Sequence, residues 1–162
     1  MTERLLVRDL MKVGVVTCPP DASIQDIARL LLEKDLEGVV VLGFEGHGVG
    51  VVTQDELVKA YARHDRDTLT ARDIMRDEVP EIPPDIPLTA AAQLMQDQGV
   101  RIFFLVHHAE GVTYPAAALS YKHLLRHLAG GELDDLGIRA AREKPLDAFI
   151  QKRDAARRHQ QE

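Results

Sequence analysis

The chain has no tryptophan, a single cysteine, and only three tyrosines and four phenylalanines among its 162 residues. Its core must therefore be aliphatic, built from Leu, Val, Ile and Ala. A lone cysteine, Cys18, excludes an internal disulfide, which fits a reducing compartment. Its plain role is a small apolar filler near a strand. No apolar run nears the ~20 residues that cross a bilayer, and Met1–Leu6 is too short and charged for a secretory signal. The expected setting is the cytoplasm, with no membrane. Also missing are a Gly-x-Ser-x-Gly elbow, a phosphate-binding P-loop and a dinucleotide fingerprint. Nothing in the sequence reads as an enzyme. His123 and His127 have the i,i+4 spacing of metal ligands, but no HExxH context or third ligand accompanies them.

Positive charge is scarce in the body of the chain. Residues 1 to 137 hold 13 Lys and Arg against 22 Asp and Glu, whereas residues 138 to 162 hold 7 against 4. An acidic body argues against nucleic acid, whose binding needs phosphates neutralised. The basic tail, with Arg139, Arg142, Lys144, Lys152, Arg153, Arg157 and Arg158, leaves that reading as a weak third alternative.

What the chain does have is repetition. Arg8-Asp9-Leu10-Met11 returns 64 residues later as Arg72-Asp73-Ile74-Met75, and Pro19-Pro20-Asp21 as Pro83-Pro84-Asp85. The apolar stripe Ile24, Ile27, Ala28, Leu31 maps by the same offset onto Leu88, Ala91, Ala92, Met95. Leu57, Val58, Tyr61 match Leu124, Leu125, Leu128 at an offset of 67, so the second copy gains three residues. Two copies of one unit imply two similar subdomains.

Each copy reads as strand, helix, strand, strand, helix. In the first, Val13 to Thr17 opens and Pro19-Pro20 stops it. Ser23 can cap a helix over roughly 24–34, with Asp26 three residues on. Val39–Leu42 is a buried strand, Gly43–Gly48 a glycine-rich hairpin connection, and Val49–Val52 the return. Thr53 then caps a helix over about 54–63. In the second, Val79–Ile82 is the expected opening strand, and Pro87 suits the first turn of a helix over Leu88–Gln98. Gly99 ends that helix. Ile102–Val106 is the buried strand, His107–Thr113 the turn, and Ala116–Leu119 the return. Ser120 starts the last helix, and Gly130-Gly131 closes the copy. Pro145 can begin a further helix carrying Leu146, Phe149 and Ile150 on one face.

The repeated Asp-x-Met openings (Asp9-Met11, Asp73-Met75), the Pro-Asp turns and the run Gly50-Val51-Val52-Thr53 resemble the CBS-domain family, named for cystathionine β-synthase. The resemblance covers residues 7 to 130. It implies an α/β (α+β) fold of two β-α-β-β-α repeats packed about a pseudo-twofold axis. The repeats would be 7–65 and 71–130, followed by a C-terminal helical extension over 132–162. It further implies a homodimer that senses an adenosine-containing ligand (AMP, ADP, ATP or S-adenosylmethionine) in clefts between repeats and signals to a protein partner. No cofactor is required.

A nucleoside needs an apolar slot for the base, a carboxylate accepting from both ribose hydroxyls, and a hydroxyl or helix N-terminus near the phosphate. By the family pattern Thr17, Cys18 and Pro19 border the base, Thr53 and Ser120 supply hydroxyls, and an Asp follows three residues later. Here that acid is Glu56 in the first copy and His123 in the second. Arg101 occupies a position where the family often places a phosphate-contacting base. Glu56 keeps the acceptor chemistry, displaced by about a bond length. His123 cannot accept two hydroxyls as a carboxylate does. Each residue also has a purely structural role available: Thr53 and Ser120 as N-caps, Glu56 as a complement to the helix dipole, and Arg101 as a surface arginine. The alternative function is therefore a structural or interaction dimer with degenerate clefts, recruiting its partner through the C-terminal helix.

Overall fold

The computed structural model describes residues 4–130; the expected C-terminal extension lies outside them. The chain divides into two compact units, one holding Val15–Val79 with His108–Thr113, the other holding the segment up to Gly14, Pro80–His107 and the chain from Tyr114.

In the first of these, β2 (Thr17–Cys18) runs parallel to β3 (Gly38–Leu42), which pairs antiparallel with β4 (Gly48–Thr53). The parallel pair needs a crossover, supplied by α2 (Ile24–Glu33). Ser23 caps α2 as its pattern predicts, its Oγ accepting the Asp26 N–H at 3.1 Å. Val39, Val40 and Val41 are wholly buried, as a continuous β-branched central strand should be. The core gathers Cys18, Ile27, Leu31, Val39, Val41, Val52 and Ala71. After β4 come α3 (Gln54–Tyr61), a 3₁₀ turn (Arg66–Thr68) and α4 (Ala71–Ile74). Gly50 is glycine by necessity. A Cβ there would run into the Arg76 carbonyl and lie 2.7 Å from the Met75 sulfur.

The other unit contains α1 (Val7–Leu10), β1 (Lys12–Val13), α5 (Leu88–Gln98), β5 (Ile102–Ala109) and β6 (Val112–Ser120) apart from their hairpin tip, and α6 (Tyr121–Leu128). Its sheet runs in the order β1, β6, β5. Its core is Val7, Leu10, Ile82, Leu88, Ala91, Met95, Val100, Phe103 and Leu119. Gly99 ends α5 in the left-handed conformation, φ 63°. Pro87 is the N-cap rather than a first-turn residue, and its carbonyl accepts the Ala91 N–H at 3.0 Å.

The duplication governs pairing as well as sequence. Thr17 pairs with Val40, and 64 residues on Glu81 bridges Phe104, also in parallel. Lys12 pairs with Ala118, and its counterpart Arg76 bridges Val51. Thus each unit takes its opening helix-and-strand segment from the other copy: α1 and β1 join the second copy's sheet, and α4 joins the first's.

Three expectations of strands and turns need correction. Val13 to Thr17 is not one strand: β1 ends at Val13 and β2 begins at Thr17, in different sheets. Val79–Ile82 forms no strand; only the Glu81–Phe104 bridge is present. Pro80, Pro83 and Pro84 remove the donors a longer ladder would use. Nor is His107–Thr113 a seven-residue turn. β5 and β6 extend through it and leave a two-residue turn, Glu110-Gly111, with φ of 51° and 74°. Two positive φ values make the type I′ geometry that suits the twist of a hairpin. His107 and His108 accordingly sit in β5. The tip is held to the β3–β4 loop by the Thr113 N–H, which donates to His47 Nδ1 at 3.3 Å.

Candidate ligand-binding sites

The eight residues marked out by sequence fall into two groups. Thr17, Cys18, Pro19, Thr53 and Glu56 belong to the β2–β3–β4 unit; Arg101, Ser120 and His123 belong to the β1–β6–β5 unit.

In the first group, Thr53 ends β4 opposite Gly38 and caps α3. A side chain at Gly38 would meet the Thr53 methyl at 3.0 Å, so that glycine allows Thr53 its position. The Asp55 N–H donates to Thr53 Oγ1 at 3.2 Å, and the Thr53 N–H donates to Glu56 Oε2 at 2.8 Å. Thr53 Oγ1 donates to the same Oε2. Both bonds to the buried Glu56 fall on that oxygen, which leaves Oε1 without one among the described residues. The carboxylate thus serves as the acid of a capping box while keeping acceptor capacity. Thr17 and Cys18 lie on β2, opposite Val40 and Val41 of the shared neighbour β3. Two strand spacings separate β2 from β4, about 10 Å, a span of nucleoside size. Thr17 is half-buried, Cys18 buried and Pro19 exposed. Burial pushes the Cys18 thiol up to about 11, so it stays protonated and inert at neutral pH.

In the second group, the Ser120 N–H donates to His123 Nδ1 at 3.0 Å, and both residues are buried. An Nδ1 that accepts is unprotonated, so the neutral ring carries its proton on Nε2. Burial, then Arg126, then Lys12 lower the His123 pKa to about 4. Arg101 is exposed, and its carbonyl accepts the Tyr121 N–H at 3.0 Å. Its guanidinium lies 5.9 Å from the centre of the Tyr121 ring. The start of α6 therefore brings Arg101, Ser120 and His123 together.

Sequence reading missed Glu37, which is buried and whose carbonyl accepts the Gln54 N–H at the start of α3. It is the counterpart of Arg101 at the 64-residue offset, and applying that offset to Arg101 finds it. No group of three or more His, Cys, Asp or Glu side chains able to hold a metal ion is present among the described residues. No helix of the described residues is long and apolar enough to cross a membrane.

The CBS-domain family model matches residues 7–63 and 71–130. The chain belongs to the CBS-domain family. Among curated proteins, this CBS pair is 28% identical over 97 residues to an uncharacterized protein of Methanopyrus kandleri, 59% of this chain and 50% of that one. It is 35% identical over 54 residues to an uncharacterized protein of Methanocaldococcus jannaschii, 33% of this chain and 32% of that one. The chain thus spans half or less of the length of these relatives. A CBS domain pair solved with 5′-methylthioadenosine and S-adenosyl-L-methionine matches with a TM-score of 0.68 at 20% identity, covering 79% of this chain and 98% of that one. A CBS-domain containing protein of Agrobacterium tumefaciens matches with a TM-score of 0.67 at 22% identity, covering 77% and 94%. Two CBS repeats and two three-stranded sheets, one of which takes β1 from the first repeat, are the architecture of this protein.

Proposed function

We propose that this protein is a regulatory sensor, not a catalyst, that binds an adenosine-containing ligand at the start of α3. Thr53 and Glu56 would meet the ribose and phosphate end, and Thr17, Cys18 and Pro19 would border the base. The observation that carries this reading is the half-used Glu56 carboxylate. One oxygen holds the cap and the other is left to accept from ribose hydroxyls. The solved pair with methylthioadenosine and S-adenosylmethionine supports the ligand class. Isothermal calorimetry with AMP, ADP, ATP, S-adenosylmethionine and methylthioadenosine tests it. At least one should bind below millimolar, and Glu56→Gln should weaken it about tenfold, the worth of a hydrogen bond to a charged group. Absence of sub-millimolar binding by all five overturns the reading.

A second reading, an interaction dimer, has an observation of its own. Val58 and Tyr61 on α3 are 71% and 70% exposed, and their counterparts Leu125 and Leu128 on α6 are 60% and 83% exposed. Exposed apolar side chains kept at the same places in both repeats favour association through these helix faces. Light scattering on the full chain should give a dimer mass, and Tyr61→Glu with Leu128→Glu should return a monomer. If ligand binding is absent while the dimer persists, the interaction reading replaces the sensor.

A further inference from the structure

The backbone donors at the start of α3 are spent inside the protein. The Thr53 N–H goes to Glu56 Oε2 at 2.8 Å, the Gln54 N–H to the Glu37 carbonyl at 3.3 Å, and the Asp55 N–H to Thr53 Oγ1 at 3.2 Å. The capping box also engages the Glu56 N–H, and the Thr53 hydroxyl donates to Glu56. A helix start holds phosphate through N–H groups aimed at it. This one has spent them on its own cap.

What it offers is negative charge. Asp55 and Glu56 stand in the first turn, and Glu37 precedes Gly38, the strand partner of Thr53. Glu37 and Glu56 are buried. Among the described residues no ion pair joins any of the three to a base, although Lys59 and Arg76 belong to the same unit. The helix dipole favours these acids, and they use up its capacity for a further anion. A phosphate would meet like charge in surroundings less polar than water, where repulsion is stronger. No buried side-chain oxygen lacks a partner among the described residues, so the unused Glu56 Oε1 is open to solvent. It can accept from a ribose diol, and a neutral or cationic 5′ substituent meets no repulsion there.

We infer that the start of α3 selects against phosphate: its ligand is an adenosyl compound with a neutral or cationic 5′ group, a thioether or a sulfonium, and not an adenine nucleotide. The inference rests on the proposed function, keeping its ribose contact and removing its phosphate.

Methylthioadenosine and AMP share the nucleoside and differ in charge at the 5′ position, so calorimetry of both on the full chain isolates that charge. Methylthioadenosine should bind at least about tenfold more tightly, a modest ratio for like charges brought together. S-adenosylmethionine should side with methylthioadenosine, and ATP with AMP. Added salt should strengthen AMP binding and leave methylthioadenosine unchanged, because screening relieves repulsion. Asp55→Lys should strengthen AMP about fivefold or more and keep methylthioadenosine within about twofold. The second repeat carries Lys122 at this place, so the fold should accept the change. Glu37→Gln, nearly isosteric, should move AMP in the same direction. AMP binding as tightly as methylthioadenosine, or a gap that neither variant moves, overturns the inference and leaves the proposed function standing. If no adenosyl compound and no nucleotide binds, the two fall together.

Discussion

The backbone N–H of Ser120 donates to His123 Nδ1 at 3.0 Å, the bond that Thr53 makes to Glu56 at 2.8 Å one repeat earlier. A carboxylate caps while charged, but an imidazole caps only while Nδ1 is unprotonated. The cap therefore makes α6 sensitive to acid.

Stability should follow that proton. His123 is neutral when folded, with its pKa lowered to about 4 by burial, Arg126 and Lys12, against about 6.5 unfolded. Between those values the unfolded chain binds the extra proton, so stability rises with pH. His123 costs nothing above pH 6.5; its penalty grows as pH falls toward 4 and levels below. The full difference is on the order of 3 kcal/mol. Urea unfolding at intervals from pH 7.5 to 4 should show it as the gap between wild type and His123→Gln, which cannot titrate. Parallel curves for the two proteins would contradict the capping account.

The sequence carried the repeat, the central strands and the caps because each rests on local chemistry or on a fixed register. Ser23, Gly99 and Thr53 needed only their neighbours to be understood. The pairing of Lys12 with Ala118 was not legible, since nothing local says that a segment joins the sheet of the other copy. Nor was the fate of Val79–Ile82, where three prolines outweighed an apolar pattern. At the site, Thr53, Glu56, Ser120 and His123 were marked out by the resemblance to the CBS-domain family, which places a hydroxyl and an acid three residues apart. Glu37 was open to the 64-residue offset applied to Arg101, whereas Lys12 needed the fold, because only strand pairing sets it beside Ala118.

Gly50 fixes where α4 joins the β2–β3–β4 unit. The Val51 N–H donates to the Arg76 carbonyl at 3.0 Å and the Arg76 N–H returns the bond at 2.9 Å. Such closeness leaves no room for a methyl at Gly50. Gly50→Ala should cost about 1–3 kcal/mol or more, as overpacking does. Gly48→Ala is the control: its nearest contacts would be Val40 at 3.3 Å and Val79 at 3.5 Å, and its cost should stay under about 1 kcal/mol. Equal losses for the two in thermal unfolding would refute the steric argument.

Cys18 gives a clean reading of local opening. Its thiol is 7% exposed and raised to about 11 by burial, so thiolate is nearly absent at pH 8. A thiol reagent such as dithionitrobenzoate should react slowly with the native protein and within seconds after denaturation. The native rate should also fall when an adenosine ligand binds beside Thr17–Pro19. A fast native rate, unchanged by denaturant, would place Cys18 outside the core.

The β5–β6 turn offers a stabilising change. Glu110 sits at φ 51° and Gly111 at φ 74°. The left-handed region crowds a Cβ against the following carbonyl at a cost of roughly 1–2 kcal/mol, which glycine escapes and asparagine partly offsets with local hydrogen bonds. Asn-Gly is the favoured pair for this turn. Glu110 is exposed, and no packing opposes its replacement. Glu110→Asn should therefore raise stability by about 0.5 kcal/mol, whereas Gly111→Ala, placing a second side chain at positive φ, should lower it by about 1 kcal/mol. Thermal unfolding of both variants decides the point, because opposite signs are required. A loss in both would mean that Glu110 contributes a contact outweighing its backbone strain.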